Sequence, residues 1–113
     1  MKKFIEADAL IKACIEHLTV EYLDILNSLK GNTEHVTYKF AAIRGRRYFK
    51  IVKTNIVGGK ASDRSVHSFV DCNTGEVYKP AGWAAPAKGV RYTLTDMDRI
   101  RECADPYGSY LYR

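Results

Sequence analysis

Alternating apolar and polar side chains on both sides of one glycine constrain this chain more than any other feature. Val36, Tyr38 and Phe40 alternate with Thr37, Lys39 and Ala41, which is the period of a half-buried strand. Beyond them, five of the ten residues from Arg44 to Lys53 are cations, interleaved with Tyr48, Phe49, Ile51 and Val52. The pattern predicts a turn and a return strand. A two-residue loop at Arg44-Gly45, with Gly45 supplying the positive φ such turns need, pairs Phe40 with Phe49 and Tyr38 with Ile51 on one face, the expected core. On the other face the same register sets Lys39 opposite Lys50, with Arg46 and Tyr48 beside them. Like charges placed directly opposite cost a sheet roughly a few tenths of a kcal/mol. A repulsion left in place points to an anionic partner.

A chain of 113 residues with 46% hydrophobic and 27% charged side chains is expected to fold as one domain, residues 1–113, without staples. A net charge of +5 favours anionic partners: nucleic acid, a nucleotide or an acidic protein surface. Eight tyrosines exceed what a small core absorbs, because each hydroxyl needs a partner or water. Cys14, Cys72 and Cys103 are odd in number and widely spaced, which argues against a disulfide framework and for the reducing cytosol. Met1-Lys2-Lys3-Phe4-Ile5 resembles the opening of a signal peptide, but Glu6 and Asp8 follow at once. No apolar run reaches the length of a membrane span.

From about Glu6 to Lys30, Ile11, Ile15, Leu18, Tyr22, Ile25, Leu26 and Leu29 recur at helical spacing, with Lys12, Glu16, Glu21 and Asp24 between them. This predicts a long amphipathic helix laid on the sheet. Glu6 and Asp8 in its first turn, Lys30 in its last and Gly31 just beyond suit its dipole and C-terminus. Asn55 to Asp63, with Gly58-Gly59, reads as a polar connection. Its Gly-Gly-Lys lacks the glycine spacing, the following Ser or Thr and the helix of a phosphate loop. Ser65 to Cys72 is a third strand, Asn73-Thr74-Gly75 a turn, and Glu76 to Lys79 a short fourth strand. Pro80 to Gly89, with two prolines and the lone Trp83, is a structured loop, and its indole is expected to tuck against the core. Val90 to Leu94 is a fifth strand, Thr95 with Asp98 starts a short second helix, and Ser109 to Arg113 suits an edge strand or a docked tail. The fold class is therefore α+β: a long N-terminal helix packed on an antiparallel meander of three to five strands, with a short second helix near the C-terminus.

Catalytic and metal-binding patterns fail on spacing. His17, His35, His67 and the cysteines form no close ligand pair, so no metal and no cofactor is expected. His67 and Asp71, four apart on one strand, lie about 13 Å apart by strand rise, too far for a dyad. Cys72 has no nearby base and reads as a buried, inert thiol. An enzyme is not the expectation.

The basic and aromatic set is different in kind. Lys39, Arg44, Arg46, Arg47, Tyr48 and Lys50 can neutralise phosphates while the ring stacks on a base, with Lys53 at the strand end. Trp83, Lys88, Arg91, Tyr110 and Tyr112 form a second set of expected contact residues, since aromatic and Arg anchors dominate interfaces.

Tyr48 to Lys53, Ser65 to Asp71, Thr74 to Trp83, Ala85 to Tyr92 and the aromatic terminus Tyr107-Gly108-Ser109-Tyr110-Leu111-Tyr112 together resemble a family of small uncharacterised proteins from tailed bacteriophages. The resemblance runs over roughly residues 45–113. It implies phage origin and action in the cytoplasm of an infected bacterium, and it carries over no catalytic or binding residue. Helix, three antiparallel strands, helix is also the order of double-stranded-RNA-binding domains, but the Lys-rich start of their second helix is absent around Thr95 to Arg101. The expected function is that of a non-enzymatic phage accessory protein that binds nucleic acid or a phosphorylated nucleotide through the hairpin face. The alternative is a host-directed, anti-defence or takeover inhibitor that binds an acidic host protein surface or sequesters a nucleotide signal.

Overall fold

A computed structural model describes residues 2–29, 36–106 and 108–112, with 2–9 and 109 described by their backbone alone. The elements run in the order α1 (Lys2–Ser28), β1 (Val36–Arg44), β2 (Tyr48–Val57), β3 (Lys60–Asp71), β4 (Glu76–Tyr78), β5 (Tyr92–Thr93), α2 (Met97–Cys103) and a 3-10 turn at Ser109–Tyr112. The five strands form one antiparallel sheet in sequence order. This is the expected α+β class.

The apolar spacing of α1 works as a core stripe from Ile15 onward. Ile15, Tyr22 and Leu26 are buried and Leu18 packs against them, while Lys12, His17 and Asp24 between them are exposed. Ile11, expected on the same stripe, is exposed. The helix also starts at Lys2 rather than near Glu6, which moves Glu6 and Asp8 out of its first turn. The expected C-terminal features, Lys30 and Gly31, lie outside the described residues. At the sheet's edge, the Asn27 side chain takes the Phe40 N–H on Oδ1 (2.8 Å) and donates to the Phe40 carbonyl (3.1 Å), which closes one open site of a strand edge. The remainder of the core comes from Phe40, Phe49, Ile51, Val70, Val77, Leu94, Met97, Ile100, Tyr110 and Leu111.

The first hairpin departs from the expected register. Arg44 pairs with Phe49, Ala42 with Ile51, Phe40 with Lys53, and Lys39 with Thr54. The shift is even on both strands, so every side chain keeps its face and Phe40, Phe49 and Ile51 still meet in the core. Lys39 and Lys50, however, are not opposed: Lys50 pairs with Ile43. The like-charge repulsion inferred from the sequence does not exist. The cause is the turn, which is centred on Arg46-Arg47, two residues beyond the expected Arg44-Gly45. Gly45 donates to the Tyr48 carbonyl at 2.9 Å, and a Cβ there would stand 2.8 Å from that oxygen. Glycine is required for this close approach, not for a positive φ, which Gly45 does not have.

The second hairpin is tighter than expected. Gly58 and Gly59 have φ of 58° and 82°, the pair of left-handed residues that a two-residue hairpin turn requires. Residues 55–57 and 60–63 therefore belong to the strands, and β3 begins at Lys60, not Ser65. A bulge between the pairs Ile51–Ser68 and Val52–Val66 adds one residue to β3; it turns His67 and Ser68 into the interior together. The C-terminal half is trimmed relative to expectation. β5 keeps only two residues, α2 is capped from Asp96 without a side-chain bond, and the tail docks as a 3-10 turn with Tyr110 and Leu111 buried.

Candidate functional site

Strand alternation divides the polar residues between two faces. On the face under α1, the bulge brings His67 and Ser68 against Tyr22 from α1 and Tyr110 from the tail. His67 Nε2 meets the Asp105 carbonyl at 3.2 Å, and a carbonyl only accepts, so that nitrogen carries the proton. Burial pushes the imidazole down to about 4, against the opposing pull of the Asp105 carbonyl and charge and with a further lowering by Lys53, so Nδ1 is bare at neutral pH. Ser68 then donates to Nδ1 (3.0 Å), Tyr22 donates to Ser68 (3.2 Å) and Tyr110 donates to Tyr22. Burial pushes Tyr22 up to about 12 and Tyr110 higher still. Each of these three hydroxyls has a partner, and the tail is locked to helix and sheet. Asp71, the expected non-partner of His67, instead accepts the N–H groups of Asn73 and Thr74. Cys72 is buried, as expected, with its thiol pushed up by that burial.

The outer face holds Tyr48, Lys50, Val52 and Thr54 of β2. Across from them on β3 stand Asp71, Phe69, Val66 and Arg64. Val52 and Phe69 are only 2% and 3% exposed, yet they stand apart from the main core. What covers this face is aromatic. The Tyr48 ring lies edge-on to Phe69 (6.1 Å) and to Tyr78 (5.8 Å). From the β4–β5 connection a small hairpin rises, held by Ala87 N–H to Lys79 O (2.9 Å) and Ala81 N–H to Ala85 O (3.0 Å), and it carries Trp83 at its tip. Trp83 is 49% exposed, so the expectation of a tucked indole is overturned. Two prolines close the hairpin base against each other and leave the tip without a core to enter.

Cations converge on these rings. Lys50 Nζ stands 4.4 Å and the Arg64 guanidinium carbon 5.6 Å from the Trp83 ring centre, and Arg47 lies 5.3 Å from that of Tyr48. A hollow of about 370 Å³ opens between Ile43, Arg46, Arg47, Tyr48, Lys50 and Phe69. Among the described residues, Arg46, Lys50 and Arg64 form no ion pair, and Arg47 has only a 3.7 Å contact with Asp71. Unpaired guanidinium and ammonium groups beside aromatic walls suit a planar, negatively charged ligand.

The structure thus brings together Arg46, Arg47, Tyr48 and Lys50 of the first expected set, and Trp83 of the second. It separates the rest. Arg44 turns to the helix side, paired with Glu16 and lying over Phe49; Lys53 lies there too, over Tyr38. Lys39 is on the outer face but four residues along from Lys50's position, opposite Thr54. Tyr110 is 1% exposed and belongs to the buried chain, so it offers no contact surface. Tyr112 is exposed under Lys79, Lys88 is exposed on a loop, and Arg91 lines a different hollow with Tyr92 and Arg99. Arg64, Phe69 and Tyr78 escaped the sequence reading. For Arg64 the signal was the Gly58-Gly59 turn, which places it on a strand rather than just after a loop.

These features define an α+β protein with one covered sheet face and one basic-aromatic face. A family of unknown function, DUF7717, matches residues 3–113, and the chain belongs to that family, long helix included. Comparison with curated proteins and with solved structures returns no match. Among the described residues, no helix is long and apolar enough to cross a membrane, and no three His, Cys, Asp or Glu side chains converge on a metal position.

Proposed function

We propose that this protein binds nucleic acid or a phosphorylated nucleotide on the outer face of its sheet, without turnover. One observation carries the reading: Lys50, Arg64, Arg46 and Arg47 gather around Trp83 and Tyr48 with almost no carboxylate to neutralise them. Four cations held that close repel one another unless an anion joins them, and the adjoining rings offer a base its stacking surface. The resemblance to tailed-phage proteins supports an accessory role in the cytoplasm of an infected bacterium.

The test is fluorescence titration at low salt with RNA, DNA and nucleotides, followed on Trp83, the single tryptophan. Binding is expected to quench or shift its emission. Tyr48→Leu is expected to cost roughly 1 to 3 kcal/mol of affinity if a base stacks there. Failure of every RNA, DNA and nucleotide to bind at low salt overturns the reading and leaves an acidic protein surface as the partner to seek.

A further inference from the structure

Among the described residues, a second hollow opens on the outer face beside the first. The first, about 370 Å³, has Tyr48 as its aromatic wall and Arg46, Arg47 and Lys50 as its cations. The second, about 360 Å³, lies on the other side of the Trp83 hairpin, between Ser65 and Val66 of β3 and Pro80 to Trp83. Arg64 stands beside it, on the Trp83 ring. Along β2 the two centres fall near Tyr48 and Val52, whose separation is about 13 Å by strand rise. Lys50 sits between them, its ammonium on the Trp83 ring.

Resting on the reading above, we propose that the ligand is a single strand of two or more nucleotides, with one base against Tyr48, the next against Trp83, and Lys50 on the phosphate that links them. A mononucleotide has one base and fills one hollow. It leaves either Arg64 or the Arg46–Arg47 pair without an anion. A duplex cannot enter either hollow, because its bases are already stacked inside the helix and present only edges and phosphates. The hairpin tip is what makes the site linear: it divides the face into two base-sized places while its indole supplies the wall of the second.

The experiment compares thymidine monophosphate, a thymidine dinucleotide, a thymidine octanucleotide and a duplex of the same length at one low salt concentration. Uridine counterparts separate DNA from RNA. The dinucleotide is expected to bind roughly ten- to a hundredfold more tightly than the monophosphate, as one added stacked base gives, and the duplex more weakly than the octanucleotide. Trp83→Ala is expected to weaken dinucleotide binding more than monophosphate binding and so to shrink the gain from mono- to dinucleotide, with Arg64→Gln reducing the same gain in a protein that keeps its indole. Equal affinity for mono- and oligonucleotide, or a Trp83→Ala loss shared equally by both, overturns the two-place strand and leaves a nucleotide site. Binding by none of the probes overturns both proposals together.

Discussion

On the helix side of the sheet, Tyr22, Tyr110, Ser68 and His67 pass one hydrogen bond after another to the Asp105 carbonyl, and Arg44 on that side has Glu16. On the opposite side Lys50 and Arg64 lie on the Trp83 ring and Arg46 lines the hollow with Tyr48, and among the described residues none of the three has a carboxylate. Both faces mix polar and aromatic groups, so composition alone does not separate them. What separates them is satisfaction. A buried polar group must be partnered inside the fold because leaving it bare costs about 1 to 3 kcal/mol, so a complete chain of donors and acceptors is explained by stability alone. The exposed Arg46 and Arg64 and the half-buried Lys50, left unpaired beside this face, are not explained that way.

The comparison breaks most visibly under truncation. Phe49→Ala, at the centre of the covered face, is expected to cost about 3 to 5 kcal/mol in denaturant unfolding; a loss well below one would mean that strand β2 is wrongly faced. The acid limb comes next. The folded protein holds His67 neutral down to about pH 4, whereas an unfolded chain protonates it near 6.5. Across that window the unfolded state binds more protons, so stability is full above about pH 6.5 and falls as the pH drops towards 4, by on the order of 3 kcal/mol. His67→Gln is expected to flatten that limb, and an equally steep limb in the variant would place the titration elsewhere. Tyr22→Phe, which removes the link between Tyr110 and Ser68, is expected to cost about 1 to 3 kcal/mol.

The outer face is expected to answer in the opposite sense. Lys50→Gln and Arg64→Gln are expected to leave unfolding within about 0.5 kcal/mol of the parent, and Trp83→Leu to lose only the cation–π contribution of about 0.5 to 1 kcal/mol. Larger losses would mean that the cations hold the hairpin in place and that the face is structural after all.

How far the sequence reaches can be followed on the same two faces. The helix stripe from Ile15 to Leu26 and the alternation of β1 and β2 are written locally, so the layers and the facing of Phe40, Phe49 and Ile51 were legible. The register was not, because a four-residue change in pairing preserves every face and only the position of the turn distinguishes the two arrangements. Gly45 was read for its conformational freedom when it serves a close backbone contact. The His67 chain was invisible for a different reason: it depends on a bulge and on residues 46 and 88 positions apart. Trp83 was misplaced because a loop's composition does not say whether a core lies beneath it. Arg64 was lost with the strand that carries it.

The most direct test of the outer face is the salt dependence of octanucleotide binding by the parent protein, Lys50→Gln, Arg64→Gln and, as a control, Arg101→Gln on α2, whose guanidinium is paired with Asp98. The logarithm of affinity is expected to fall linearly with the logarithm of salt, with a slope reduced by about 0.7 for each contacting cation removed from a single-strand site. Lys50→Gln and Arg64→Gln are each expected to show that reduction and Arg101→Gln to keep the parent slope. Identical slopes in all four proteins would contradict the assignment of this face as the anion-binding surface.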